Sequence, residues 1–210
     1  ISNDNNVFVR SVCADYFMHC KLHSLNSKEA SKSLEFLEKL LISCSKIEVK
    51  DIVIPCVDQS SIRNNKLLSR FIEVLNTKLK EFEKYNVNLS LETDLNPKKF
   101  SKLLEELDSP IIKVNYDIGN SASLGYNYKD ELESYGEKIS DIHIKDRKFN
   151  GESVVLGKGN ANIPDFINYL SKFNYKGPFI MQPFRDDEGL AIFENQLKWF
   201  LDIIEENNEN

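Results

Sequence analysis

The sequence predicts a parallel α/β fold of barrel type, and three observations carry that expectation. Strand-length apolar runs alternate with longer segments of helical period, each pair filling about 30 residues, the size of a βα unit. No glycine-rich phosphate turn follows the first run, where Cys13-Ala14-Asp15-Tyr16-Phe17-Met18 stands instead, which disfavours an open doubly wound sheet. The later runs turn polar on one face toward their C-terminal ends, as strands do at the mouth of a barrel.

Taken in order, the strands are expected over Val7–Cys13, Asp51–Val57, Val87–Glu92, Ile111–Asp117, Ser140–Lys145 and Pro178–Gln182. Each of the last five follows a helical segment. Asn26 with Glu29 three residues on suggests a capping box, Ser60-Ser61 precedes a periodic run to about Tyr85, and Asn162 stands two before Pro164. Leu34, Leu37, Leu40 and Leu41 form one apolar face, and Leu67, Phe71, Val74 and Leu75 another, both suited to core packing. Between Asp146 and Ile163 the glycines 151, 157 and 159 and the weak periodicity predict a long functional loop. The tail from Glu205 is polar, and the abundance of asparagine is read as base composition more than physics.

The 210 residues, 41% hydrophobic and 29% charged, suit one soluble domain over 1–210 with a full core. Lys plus Arg at 27 against Asp plus Glu at 33 gives a net charge of −6, which argues against a nucleic-acid partner. No apolar run reaches the roughly 20 residues that span a bilayer, and the N-terminus has neither a basic n-region nor an apolar h-region. A cytoplasmic protein without a membrane partner is expected. Cys13, Cys20, Cys44 and Cys56 form no C-x-x-C pair and are read as reduced, mostly buried thiols. The first residue is Ile, so an N-terminally incomplete chain is expected.

Side chains alternate faces along a strand. Ser90 and Glu92 share one face against Leu89 and Leu91; Asn115 and Asp117 oppose Val114 and Tyr116; Asp141, His143 and Lys145 oppose Ile142 and Ile144. Glu92, Asp117, His143 and Gln182 thus fall near the C-terminal ends of four successive strands, at intervals of 25, 26 and 39 residues. Two carboxylates, an imidazole and an amide oxygen suit a divalent ion, Mn, Mg, Co or Zn, acting as a Lewis acid. Lys145, Arg147, Lys158 and Arg185 could hold a phosphate or sugar hydroxyls. Lys158 stands between glycines whose N–H groups could also approach an anion. His19 and His23 are expected in surface or core roles.

Several strings together resemble a known family: Ile52-Val53-Ile54-Pro55, Leu91-Glu92, Asp117-Ile118-Gly119-Asn120, His143-Ile144-Lys145-Asp146 and Leu156-Gly157-Lys158-Gly159-Asn160. They resemble the xylose isomerase-like TIM barrels, which include sugar and sugar-phosphate isomerases and 3-epimerases. The resemblance, over nearly the whole chain, implies a (β/α) TIM-type barrel lacking its first two βα units, with six of eight strands present. It implies metal ligation by Glu92, Asp117, His143 and Gln182, and catalysis at Glu92 and Gln182. Substrate contacts would come from Lys145, Lys158, Arg185 and Asn120.

In that family a ketose or aldose loses a proton from carbon to a glutamate, giving an enediolate held by the cation. The family usually has glutamate where Gln182 stands. An amide oxygen can ligate a metal but cannot trade protons near neutrality. A second proton would then come from Glu188, Asp15 or water, or the reaction would need one acid–base residue. The expectation is an isomerase or epimerase of a sugar or sugar phosphate. The alternatives are an inactive sugar-binding barrel and a dehydratase of a cyclic polyol; abasic-DNA hydrolysis is disfavoured, with three His in all. A partner copy completing the barrel, as a homo-oligomer, is left open.

Overall fold

A computed structural model of the chain describes residues 3–187 and 189–208. Glu188, one of the expected proton sources, lies outside the described residues. The chain divides into two compact units, Ile1–Asn115 and Tyr116–Asn210.

The first unit runs β1 (Ser11–Cys13), α1 (Tyr16–His19), α2 (Ser27–Lys46), β2 (Asp51–Cys56), α3 (Asn65–Asn76), α4 (Leu79–Phe82), β3 (Asn88–Thr93), α5 (Pro97–Leu107) and then β4 (Ile112–Asp117), whose last two residues open the second unit. The strands lie side by side in chain order, all parallel, with Ser11 opposite Asp51, Asp51 opposite Asn88 and Leu89 opposite Ile112. Every residue of β2 is buried, as expected of a parallel strand covered on both faces. Leu37 and Leu41 of α2 and Phe71 and Leu75 of α3 are fully buried, so the two predicted stripes do face the core. Burial of each such side chain contributes about 1.5–3 kcal/mol.

The first strand is shorter than expected. Val7, Phe8 and Val9 are exposed, because Ser11 already pairs with the first residue of β2 and residues further upstream have run past its end. The third helix also starts later than Ser60-Ser61 suggested. Ser60 closes a 3-10 turn, Asp58–Ser60, and its hydroxyl donates to the Pro55 carbonyl at 2.6 Å, a local bond that competes with helix. Asn64 is the cap, accepting from the Lys66 N–H at 2.9 Å.

The second unit continues with α6 (Ile118–Leu124), α7 (Tyr128–Tyr135), β5 (Ile139–Ile144), β6 (Asp146–Arg147), β7 (Ser153–Val154), α8 (Ile163–Leu170), β8 (Phe179–Met181) and α9 (Leu190–Asn208). β5 and β8 are parallel, with His143 opposite Ile180, whereas β6 and β7 form a short antiparallel ribbon inside the predicted long loop. Phe166 of α8 stacks on Tyr116 of β4 with ring centroids 5.4 Å apart.

Asparagine does physical work that composition alone concealed. Asn26, Asn64, Asn96 and Asn127 each cap a helix through the side-chain oxygen. Asn6, Asn86, Asn150, Asn162 and Asn174 adopt positive φ, which asparagine tolerates better than most residues. The box expected at Asn26 is only half present: Glu29 accepts from the Asn26 side chain and from Ser24, while the Asn26 N–H donates to Ser24. Of the thiols, Cys44 and Cys56 are buried, Cys20 is half-buried and Cys13 is exposed, so burial is less general than expected.

Candidate functional site

In the first unit polar side chains of neighbouring parallel strands bond to one another. Asp51 on β2 accepts from the Asn88 amide and the Ser90 hydroxyl, each at 2.9 Å. One turn of the pleat further on, the Asn115 amide donates to Glu92 Oε2 at 3.2 Å. Glu92 is buried, 8% exposed, at the C-terminal end of β3, where strand parity had put it. Burial, reinforced by the charges of Asp94 and Glu92, pushes the Cys56 thiol far up, so it stays protonated. Asp15 and His19 are exposed. His23 is buried, and neither ring nitrogen has a hydrogen-bond partner, which places it in the core.

The second unit gathers the other candidates. Asp117 ends β4 and caps α6, its Oδ1 accepting from the Asn120 N–H at 2.8 Å. Its Oδ2 is buried without a hydrogen-bond partner and faces the Lys145 ammonium at 3.5 Å. His143 is 2% exposed on β5. Burial lowers its pKa from the usual 6.5, the Asp117 charge opposes that shift and the Lys145 ammonium reinforces it. A neutral imidazole at pH 7 follows, the state in which histidine ligates a metal. Gly119 lets β5 and α6 meet here: a Cβ on it would lie 2.8 Å from Lys145 Cγ and 3.0 Å from the Lys145 carbonyl carbon.

Lys145, Gln182 and Arg185 line one cleft of about 1010 Å³, together with Glu152, Phe184 and Phe193. Gln182 is anchored there by its N–H, which donates to the Ile144 carbonyl at 3.0 Å. Lys158 lines a different groove, of about 370 Å³, beside Leu156 and Trp199. The N–H groups flanking it, those of Gly157 and Gly159, both donate to Asp146 Oδ2, at 3.0 and 2.7 Å. Those amides are therefore committed within the chain rather than turned to an anion. Ala161 N–H adds a third bond, to Asp146 Oδ1 at 3.0 Å, so one buried carboxylate organises the whole loop. Asn120 accepts from Arg147 Nη1 at 2.9 Å, and the same guanidinium grips the Gly151 carbonyl through Nε and Nη2.

Sequence reasoning passed over one cluster. Glu131 on α7 is 3% exposed and accepts from three hydroxyls, those of Tyr116 at 2.8 Å, Tyr135 at 2.9 Å and Ser121. Burial raises its pKa, and the three donors pull it back. Its signal in the sequence was a lone Glu at one helical turn from Tyr135, which is indistinguishable from a surface charge. Among the described residues, no group of three or more His, Cys, Asp and Glu side chains stands ready to hold a metal ion. No described helix is long and apolar enough to cross a membrane.

The profile of one family, described as "Xylose isomerase-like TIM barrel", matches residues 3–203. The chain belongs to that family. The six parallel strands among the described residues are accordingly α/β and consistent with a TIM-type barrel in which some units are missing. Among family relatives, the Haemophilus influenzae protein named "Putative L-ribulose-5-phosphate 3-epimerase SgbU" is 24% identical, over 96% of this chain and 76% of that protein. Among solved structures, a D-tagatose 3-epimerase-like protein superposes with a TM-score of 0.79 at 16% identity, covering 99% of this chain and 81% of that one. A xylose isomerase-like TIM barrel protein from Mycobacterium smegmatis, in complex with magnesium, gives 0.72 at 15% identity, covering 98% and 76%. Both structural likenesses speak for the fold.

Proposed function

We propose that this chain is a divalent-cation-dependent isomerase or epimerase of a sugar or sugar phosphate, acting by proton abstraction next to a carbonyl. The observation that carries the proposal is Asp117 Oδ2, buried with no hydrogen-bond donor and met by a lysine that also lines the cleft. A buried carboxylate oxygen without a donor is costly unless a cation neutralises it. The residue types suit a hard divalent ion, Mn, Mg, Co or Zn: Asp117 would offer that oxygen, His143 its neutral imidazole, and Gln182 and Glu92 further oxygen donors. When bound, such an ion supplies electrophilic stabilisation of the negative charge that develops on a carbonyl oxygen.

The remaining work falls to side chains. Glu92 is the base that takes the proton from carbon, with Asn115 orienting its carboxylate. Gln182 cannot exchange protons near neutrality, so its amide holds a substrate or cation oxygen. Lys145 and Arg185 offer positive charge to hydroxyl or phosphate oxygens in the cleft. Lys158, in its separate groove, and Asn120, held by Arg147, would act on substrate only after changing partners. Similarity to the Haemophilus influenzae protein supports 3-epimerisation of a ketose phosphate.

The test has two parts. Metal content by mass spectrometry should show about one divalent ion per chain, lost in His143→Ala. In deuterated water, ketoses and ketose phosphates should then exchange a carbon-bound hydrogen with wild type and not with Glu92→Gln. Exchange retained in Glu92→Gln removes Glu92 as the base. Product analysis separates epimer from dehydrated ketone.

A further inference from the structure

We infer that Lys145 is a built-in stand-in for the cation: its ammonium neutralises Asp117 until a divalent ion binds there, and the ion then displaces it into the cleft beside Gln182 and Arg185. This inference rests on the cation reading above and adds an order of events to it. Asp117 has one oxygen occupied and one available, and its side chain is 2% exposed. The Lys145 nitrogen is 3.5 Å from the available oxygen, close enough for Coulomb attraction and too far for a strong hydrogen bond. The carboxylate is therefore neutralised without being saturated.

The lysine is built to move only at its tip. Its Cβ and Cγ pass within 2.9 Å of where a Cβ on Gly119 would sit, so the stem is fixed between β5 and α6. The methylenes beyond Cγ and the ammonium are left to rotate, and the side chain is 21% exposed and already borders the cleft. A doubly charged ion on Asp117 would stand within a few ångströms of a like charge in a poorly screened setting, and repulsion there is strong. Lys145 thus has two stations: Asp117 when the cation is absent, and the cleft when it is present. In the second station it meets an electron-rich substrate oxygen next to Arg185. Because coupling is reciprocal, a bound anionic substrate that holds Lys145 in the cleft also tightens the cation.

The experiment titrates the full chain with Mn²⁺ alone, by calorimetry, in wild type, Lys145→Met and Asp117→Asn. Lys145→Met keeps the stem that packs on Gly119 and removes the charge. It is expected to bind Mn²⁺ at least about tenfold more tightly than wild type, because the competitor is gone. Equal or weaker binding by Lys145→Met, with wild type binding, overturns the stand-in role and leaves the cation site standing. No binding by wild type and Lys145→Met overturns the cation reading and this inference with it. A second readout uses wild type only, so it survives a misfolded variant. Acetic anhydride labelling followed by peptide mass spectrometry should show Lys145 modified several-fold faster with Mn²⁺ present, with Lys129 as the unchanged control. Labelling of Lys145 that ignores bound Mn²⁺ overturns the displacement.

Discussion

Gly119 and Lys145 are packed so tightly that even one methyl group between them has nowhere to go: the contacts are to Cγ at 2.8 Å, Cβ at 2.9 Å and the carbonyl carbon at 3.0 Å. Two of those atoms are anchored to the backbone of the chain just beyond β5, so the strain cannot be relieved by rotating a side-chain tip. Gly119→Ala should destabilise the protein by about 1–3 kcal/mol, the usual range for overpacking. Urea unfolding monitored by circular dichroism measures it, and a loss below about 0.5 kcal/mol would show that β5 and α6 separate easily.

Asp146 should hold its loop more than it holds the fold. Three backbone N–H groups, from Gly157, Gly159 and Ala161, converge on its carboxylate. Asp146→Ala leaves those donors without their acceptor, at about 1–3 kcal/mol for each group that stays buried. Hydrogen exchange read by mass spectrometry should accelerate in peptides covering 155–162 and stay unchanged in β2 and β3. Equal acceleration everywhere would mean that the carboxylate supports the global fold instead.

His23 should make the protein acid-sensitive. Burial pushes its pKa down to about 4 from 6.5, with the nearby Lys21 charge acting in the same direction. The native state therefore favours the neutral ring. The stability this carries is complete above pH 6.5 and is lost as the pH falls toward 4, up to about 3 kcal/mol. His23→Leu, which keeps the ring's apolar contacts in kind, should lose less stability than wild type between pH 7 and pH 4.5 in parallel urea titrations. Identical losses would assign the acid sensitivity to other groups.

The thiols should separate by exposure. Ellman's reagent is expected to react promptly with Cys13 and more slowly with half-buried Cys20. Burial raises the pKa of both Cys44 and Cys56, so these two should react only after unfolding in guanidinium. Mass mapping of the labelled peptides checks the order.

Much of this architecture was legible in the residues. The strand beginning at Asp51 was placed within a residue because a fully buried parallel strand is a continuous apolar run with clear boundaries. Parity along β3, β4 and β5 put Glu92, Asp117 and His143 on the polar faces of their runs, and all three are buried near the C-terminal ends of those strands. Ser60-Ser61 misled because a serine hydroxyl can bond back to a carbonyl as readily as cap a helix, and only the surrounding fold decides which. The glycines flanking Lys158 misled for a related reason. Flanking glycines announce amides that can approach an anion, yet the anion they meet is the chain's own Asp146, eleven and thirteen positions away, and no local pattern states that. Glu131 was silent for the same cause: its three hydroxyl partners come from β4, α6 and α7, and only folding brings them to it.

That last cluster sets how firmly the corner holding Asp117 is fixed. The Tyr116 hydroxyl sits one residue before Asp117, Ser121 four after it, and both end on the carboxylate that Tyr135 also grips. The corner that presents Asp117 is clamped from behind, like a bracket bolted at three points. On the proposal above, adjustment to a cation would be left to the outer half of Lys145, which is 21% exposed, while the carboxylate it answers to keeps its place.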